Sequence, residues 1–234
     1  MSTGLTLWGV GTSRTIRAHW ALHELDLSFE LRPILPRTGE TKTAEFTALN
    51  ARQKIPLLED NGPILTESAA IISYLSDTYA KPENRLMPTD PHPRARCMEW
   101  CFFVISELDA TSLYVMRRHG DLGHIYGDAP IANTSAANYF QQQMRSVERA
   151  LDHDPRYILG ERFSAADILL STCLTWAVRY GVPIADPVIA YNQRVTARPA
   201  YARALDTNRP PAEAGGAGCR SLAHDRDGRN VQGA

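Results

Sequence analysis

The stretch "NARQKIPLLEDNGPILTESAAIISYLSDTY", residues 50–79, contains two short apolar runs followed by an amphipathic pattern. The sequence "DNG" at residues 60–62 separates the runs and is typical of a tight β-hairpin turn. Apolar side chains then recur at helical spacing, at Ile71, Ile72, Leu75 and Tyr79. The stretch therefore predicts two antiparallel strands and a helix.

The residues before this stretch alternate between strand and helix patterns. "LTLWGV" (5–10) and "SFELRPI" (28–34) are typical of strands, and "RTIRAHWALHEL" (14–25) and "TAEFTAL" (43–49) are typical of helices. The predicted order is β-α-β-α-β-β-α. A βαβ start predicts a parallel pair of strands, to which the hairpin adds an antiparallel strand.

A proline-rich segment divides the chain. Residues 80–94 hold four prolines and almost no apolar periodicity, so we predict an α/β domain at 1–80 and a linker at 81–93. Helical patterns then fill 94–207, including a capping box at Ser164 and Asp167. Residues 208–234 have few large apolar side chains and predict a disordered tail.

Composition excludes several classes of protein. The net charge of -1 argues against a nucleic-acid partner, and no apolar run approaches the ~20 residues of a membrane span. No secretory signal is visible, and four irregularly spaced cysteines indicate buried, reduced thiols in the cytoplasm. Cys97 and Cys101 lack a second pair of ligands at zinc-like spacing, so no metal site is predicted.

The first helix begins with "GTSRT", residues 11–15, which places hydroxyls and positive charge together. Thr12 and Ser13 are good N-cap residues, whereas Arg14 and Arg17 oppose the helix dipole. Two interpretations remain open: a capped helix with solvent-facing arginines, or a site for an anionic ligand. A dinucleotide site is disfavoured because Arg14 replaces the third glycine of its fingerprint.

Two histidines, His19 and His23, lie four residues apart on the same helix. This spacing suits a metal ion, but no third ligand is evident nearby. We therefore expect both histidines on the exposed face of the helix.

Taken together, these motifs resemble the cytosolic glutathione transferase family, across residues 4–205. "KIPLL…LTESAAI" is similar to the family's glutathione-binding signature, and "SAAD" (164–167) is similar to its helical-domain capping motif. The resemblance implies a thioredoxin-like N-terminal domain, an all-helical C-terminal domain and a homodimer. The apolar run "CFFVISEL" (101–108) supports a dimer weakly, because one neighbouring helix would not bury it.

The resemblance also implies the residues of a glutathione site. Pro56 would be cis, and the backbone of Ile55 would pair with the cysteinyl unit of glutathione. The remaining implied contacts are Glu67 and Ser68 at the γ-glutamyl end, and Lys54 and Lys42 near the glycyl carboxylate. Glutathione would be a co-substrate, with no metal.

In serine-type classes of the family, a hydroxyl at the first helix start activates the glutathione thiol. Spacing to Arg17 favours Ser13 in some classes and Thr12 in others. The extra methyl group of threonine would crowd an approaching sulfur, so Ser13 is the preferred candidate and Thr12 the alternative.

The implied reaction is thiolate attack on a small hydrophobic electrophile, of the kind used in detoxification. Candidates for the electrophile pocket are Tyr114, Arg117, Arg118, Trp176 and Tyr180. Two alternatives stay open. One is a non-catalytic binding or scaffolding protein, and the other is a glutathione-dependent reductase or peroxidase. The absence of a cysteine at the first helix start weighs against the second.

Overall fold

A four-stranded sheet forms the N-terminal part of the structure, a computed structural model that describes residues 4–212. Its strands are β1 (Leu5–Trp8), β2 (Glu30–Arg32), β3 (Leu57–Asp60) and β4 (Ile64–Thr66). The order across the sheet is β2-β1-β3-β4. β1 pairs in parallel with β2, and β3 pairs antiparallel with both β1 and β4. The predicted parallel pair and hairpin are confirmed.

Three helices accompany the sheet in the predicted order. They are α1 (Thr15–Glu24), α2 (Ala44–Leu49) and α3 (Ser68–Tyr79), with a short 3₁₀ turn at Glu40–Lys42 before α2. Ala18, Ala21, Leu22 and Leu25 recur at helical spacing along α1 and are buried. Ile71, Ile72 and Leu75 of α3 are buried too. This sheet and its helices form the expected thioredoxin-like part.

Helices fill the rest of the described chain, which confirms the all-helical second part. They are α4 (Pro91–Phe103), a π-helical segment (Val104–Leu113), α5 (Tyr114–His119), α6 (Gly123–Tyr126), α7 (Pro130–Ala150), α8 (Ala165–Arg179), α9 (Asp186–Thr196) and α10 (Pro199–Thr207). α4 begins inside the segment predicted as linker, because proline is well suited to the first turn of a helix. No helix of the described residues is long and apolar enough to cross a membrane.

Helix α8 lies at the centre of the helical part. Its N-terminus carries the predicted capping box, in which the Ser164 N–H donates to Asp167 Oδ2 at 2.9 Å. Trp20 of α1 is fully buried and packs against Tyr201 of α10, with 4.5 Å between the tilted rings' centroids. One continuous apolar core therefore joins the sheet part to the helical part.

Three of the four cysteines, Cys97, Cys101 and Cys173, are free and buried, as predicted. Cys219 lies outside the described residues, as does most of the predicted tail. Asn208, the first residue of that predicted tail, is instead buried and hydrogen-bonded against the start of α1. The ordered chain therefore extends past the boundary that composition suggested.

Candidate functional site

Thr12 caps helix α1. Its Oγ1 accepts the backbone N–H of Thr15 at 2.9 Å and that of Arg14 at 3.2 Å. The hydroxyl of Thr15 in turn accepts the N–H of Thr12 at 3.0 Å. Because this reciprocal pair satisfies otherwise unpaired donors of the first turn, the Thr12 hydroxyl is already committed to holding the helix start.

Ser13 lies between these capping residues, and the surroundings of its side chain differ from those of Thr12. Its side chain is buried and contributes to the wall of a cavity. Within residues 4–212, no hydrogen-bond partner of the Ser13 hydroxyl is found. A hydroxyl in a cavity wall that has no partner among the described residues is available to a ligand in the cavity.

Asn208 fixes the loop that carries Ser13. Its Oδ1 accepts the Thr15 hydroxyl at 2.7 Å and the Gly11 N–H at 3.2 Å, and its Nδ2 donates to the Thr12 carbonyl at 3.4 Å. The Asn208 carbonyl accepts the same Gly11 N–H at 2.9 Å. A residue directly after α10 therefore determines the shape of the loop before α1.

Arg14 and Arg17 share one buried carboxylate, that of Asp109. Arg14 Nη2 lies 2.6 Å from Asp109 Oδ1, and Arg17 Nη1 lies 2.8 Å from Asp109 Oδ2. Burial alone would raise the pKa of Asp109, but the two arginines outweigh burial and hold it below its usual value. The predicted solvent-facing position is wrong for Arg17, which is fully buried and out of reach of an external anion.

The two histidines of α1 are also placed differently from the expectation. His19 is fully buried: its Nε2 lies 3.0 Å from the Gly9 carbonyl and its Nδ1 lies 3.0 Å from Thr207 Oγ1. His23 Nε2 lies 3.1 Å from the same hydroxyl. Burial lowers the pKa of His19 to about 4, so this ring is neutral at pH 7. The expected exposed pair is wrong, because α10 covers this face of α1.

A cavity of about 350 Å³ lies between the sheet part and helices α5, α6 and α8. Five residues predicted for glutathione line it, namely Thr12, Ser13, Lys42, Lys54 and Ile55. Three residues predicted for the electrophile line its opposite side, namely Tyr114, Arg117 and Trp176. The structure thus brings most of the candidate residues from distant parts of the sequence to one cavity.

The other candidates lie beside the cavity. The Ile55–Pro56 peptide bond is cis, and Pro56 is buried behind the wall. Glu67 is exposed with φ at +69° and reaches the rim through Arg52, whose Nη1 lies 3.0 Å from Glu67 Oε1. Ser68 is buried at the start of α3.

Arg118 and Tyr180 do not line the cavity themselves, although Arg118 lies against Tyr126, which does. The Arg118 guanidinium lies 4.6 Å from the centroid of the Tyr126 ring, and the Tyr180 hydroxyl donates to Asp121 at 2.8 Å. Neither side chain belongs to the cavity wall formed by the described residues.

Asn50 organises the loop that supplies Lys54 and was not singled out from the sequence. Its Nδ2 donates to the Lys54 carbonyl at 2.8 Å, and its Oδ1 accepts the Arg52 N–H at 3.0 Å. The sequence feature that indicates this role is an asparagine at the end of a predicted helix, where a polar side chain commonly pairs with the turning backbone.

Comparisons with known proteins identify the family of the chain. Residues 3–77 match the model of the glutathione S-transferase N-terminal domain, and residues 126–206 match that of the C-terminal domain. These two matches cover most of the chain, which belongs to the glutathione S-transferase family.

Individual relatives span nearly the whole chain. The chain is 27% identical over 209 residues to a maleylacetoacetate isomerase of Dictyostelium discoideum, covering 88% of this chain and 94% of that protein. A glutathione transferase structure from Methylococcus capsulatus str. bath has 28% identity and a TM-score of 0.72, covering 87% and 98%. A theta class glutathione S-transferase structure from Xanthomonas axonopodis pv. citri, with glutathione bound, has 24% identity and a TM-score of 0.74, covering 86% and 97%.

Proposed function

We propose that this protein is a glutathione transferase that ionises the glutathione thiol at Ser13. The observation that carries this assignment is the hydroxyl of Ser13 at the start of α1, which lies in the wall of the cavity and has no hydrogen-bond partner among the described residues. Thr12 is the weaker candidate because its Oγ1 lies 3.0 Å from Thr15 Oγ1, an acceptor for its proton, and already accepts two backbone N–H groups.

The energy required is within reach of this site. A free thiol with a pKa near 8.5 is only a few per cent ionised at pH 7, and lowering that pKa by about two units requires roughly 2.7 kcal/mol. One hydrogen bond from a hydroxyl to the thiolate contributes about 1.5–3 kcal/mol. The partial positive charge at a helix start adds about 0.3–1 kcal/mol.

Charged groups at the cavity suit the two ends of glutathione. Lys42 and Lys54 are exposed cations in the wall and are assigned to the glycyl carboxylate. Glu67 and Ser68 are assigned to the γ-glutamyl end, with Glu67 facing its ammonium group. The backbone of Ile55, before cis Pro56, is assigned to the cysteinyl unit.

The proposed reaction joins glutathione to a small electrophile. The thiolate sulfur uses its electron pair to form a carbon–sulfur bond. The leaving group departs with the pair of the broken bond, or, in an addition, the adjacent carbon takes up a proton. Tyr114 and Trp176 offer aromatic surface for the electrophile opposite Ser13.

Paired substitutions test the assignment of Ser13. Ser13→Ala should raise the pKa of the bound thiol by at least about one unit and slow conjugation at least about tenfold. Thr12→Ala should instead lower the free energy of unfolding by about 1 kcal/mol through loss of the cap. The bound thiolate is titrated by its ultraviolet absorbance. A shifted thiol pKa in Thr12→Ala alone would move the assignment by one residue.

Isomerisation is a second candidate function, because relatives such as the Dictyostelium discoideum protein are named maleylacetoacetate isomerase. Both reactions use the same glutathione site but differ in what they consume. A transferase consumes one glutathione per product, whereas an isomerase returns it. Counting free thiols during turnover of a cis-alkene substrate distinguishes the two.

We further propose a homodimer that works in the cytoplasm. Phe102, in the apolar run of α4, keeps 65% of its surface exposed, and Met98 one turn earlier keeps 38%. A second copy of the chain would cover this apolar surface. The free, buried cysteines of the described chain are compatible with a reducing compartment.

A further inference from the structure

The cavity wall is strongly positive. Six cationic side chains line it, and the part of the wall supplied by residues 4–212 contains no aspartate or glutamate. The six are Arg14, Arg37, Lys42, Arg52, Lys54 and Arg117. Arg14 is paired with Asp109 and Arg52 with Glu67. No ion pair is found for the other four within the described chain.

Arg117 is the least satisfied of these cations. Its Nε is buried and has no hydrogen-bond partner among the described residues. Burial lowers the pKa of Arg117, and the positive charge of Arg37 lowers it further. The carboxylate of Asp121 attracts Arg117 without forming an ion pair with it, and it accepts the hydroxyl of Tyr180 at 2.8 Å. A partly buried guanidinium that lacks a partner and faces a second arginine is unfavourable until an anion binds.

The anionic groups of glutathione do not account for all of the cationic side chains in the cavity wall. It has two carboxylates and one ammonium group, and Lys42 and Lys54 are already assigned to its glycyl end. Arg117 belongs to α5, on the side of the cavity that also carries Tyr114 and Trp176. An unpaired cation thus stands beside aromatic surface, on the side assigned to the second substrate.

Building on the proposed function, we propose that the second substrate is an electrophile that carries a carboxylate. Arg117 binds this carboxylate with Arg37 on the opposite wall, and the aromatic side chains Tyr114 and Trp176 contact the apolar body. Arginine suits this role because its planar group donates two parallel hydrogen bonds to one carboxylate.

A matched pair of electrophiles tests the proposal: 4-chloro-3,5-dinitrobenzoate and its methyl ester. In both, the thiolate forms a carbon–sulfur bond at the ring and chloride leaves with the electron pair. Arg117→Met should lower kcat/KM at least about tenfold for the acid and less than about twofold for the ester. Arg37→Met should give a smaller loss of the same selectivity, and Arg117→Lys should recover part of it.

The control is Arg145→Met, which removes one exposed positive charge from α7 outside the cavity wall. It should leave the preference for the acid over the ester unchanged. The KM for glutathione, measured with the ester, should stay within about twofold of wild type in Arg117→Met. A rise in this KM alone would place glutathione, rather than the electrophile, at Arg117 and overturn the proposal.

Binding without reaction separates this proposal from the proposed function. Unreactive 3,5-dinitrobenzoate, added with S-methylglutathione, should quench tryptophan fluorescence and bind at least about tenfold more weakly to Arg117→Met. Equal binding to both proteins, or equal losses for acid and ester, would overturn the carboxylate site. A wild-type protein that binds this acid through Arg117 but conjugates neither electrophile would instead contradict the transferase assignment.

Discussion

Replacing Asp109 with asparagine removes the only negative charge from the cluster that it forms with Arg14 and Arg17. The Asp109 side chain is 2% exposed and that of Arg17 is 0% exposed, so the Arg17 charge cannot turn to water when the carboxylate is lost. Arg14 is 35% exposed, so its charge is partly screened. Most of the cost therefore comes from Arg17. Breaking a buried pair by removing one partner costs about 3–5 kcal/mol of unfolding free energy.

Urea denaturation followed by tryptophan fluorescence measures this loss. The matched control is Glu99→Gln, which breaks the exposed pair between Arg96 and Glu99 and should cost less than about 1 kcal/mol. The double variant Arg17→Met, Asp109→Leu removes the buried charges together and should recover much of the stability lost in Asp109→Asn. A loss below about 1 kcal/mol in Asp109→Asn, matching the control, would refute the importance of this pair.

The same cluster predicts an acid limit to stability. The folded pKa of Asp109 lies below its unfolded value, so its contribution is present above pH ~4 and is lost as the pH falls through the folded pKa. In Asp109→Asn, this part of the pH dependence should be absent from the unfolding free energy.

Three further outcomes are expected. Because the pKa of His19 is about 4 in the folded protein and about 6.5 when unfolded, urea unfolding should show stability falling by roughly 3 kcal/mol between pH 7 and pH 4, with a smaller fall in His19→Gln. Asn208→Ala leaves buried groups of the loop before α1 unpaired, so it should lower the free energy of unfolding in urea by about 1–3 kcal/mol and slow conjugation. The control Asn192→Ala should not slow conjugation. Phe102→Glu should shift the mass measured by light scattering toward the 26.0 kDa monomer. The control Ile131→Glu, at a more exposed side chain, should not shift it. An unchanged mass in both variants would contradict the proposed interface.

The fold was predictable because its signals are local. The turn at residues 60–62 and the apolar spacing of Ile71, Ile72 and Leu75 depend on neighbours within a few positions, and the structure places both as predicted. Ser164 and Asp167 are three residues apart, so their pairing also follows from local sequence.

The partners of the first helix could not be predicted in this way. Arg14 and Asp109 are 95 residues apart, and Thr15 and Asn208 are 193 apart, so neither residue of a pair identifies the other. Asp109 lies among apolar residues in the sequence. A carboxylate in such surroundings indicates a buried charge but does not identify its partner. Counting only the apolar residues of α1 predicts His19 on its exposed face, whereas α3 and α10 cover α1 from two sides.

The contact between Asn208 and the loop before α1 also affects when this loop can finish folding during synthesis. A ribosome makes the sheet and its helices first, and the N-terminal part of a chain generally begins folding before the rest has emerged. Yet the hydrogen bonds that fix Gly11, Thr12 and Thr15 require a residue near the end of the 234-residue chain. A nascent chain that stops within the helical part therefore lacks a finished Ser13 loop, however well its sheet has formed. The Ser13 loop is therefore translated well before Asn208, the residue that completes it.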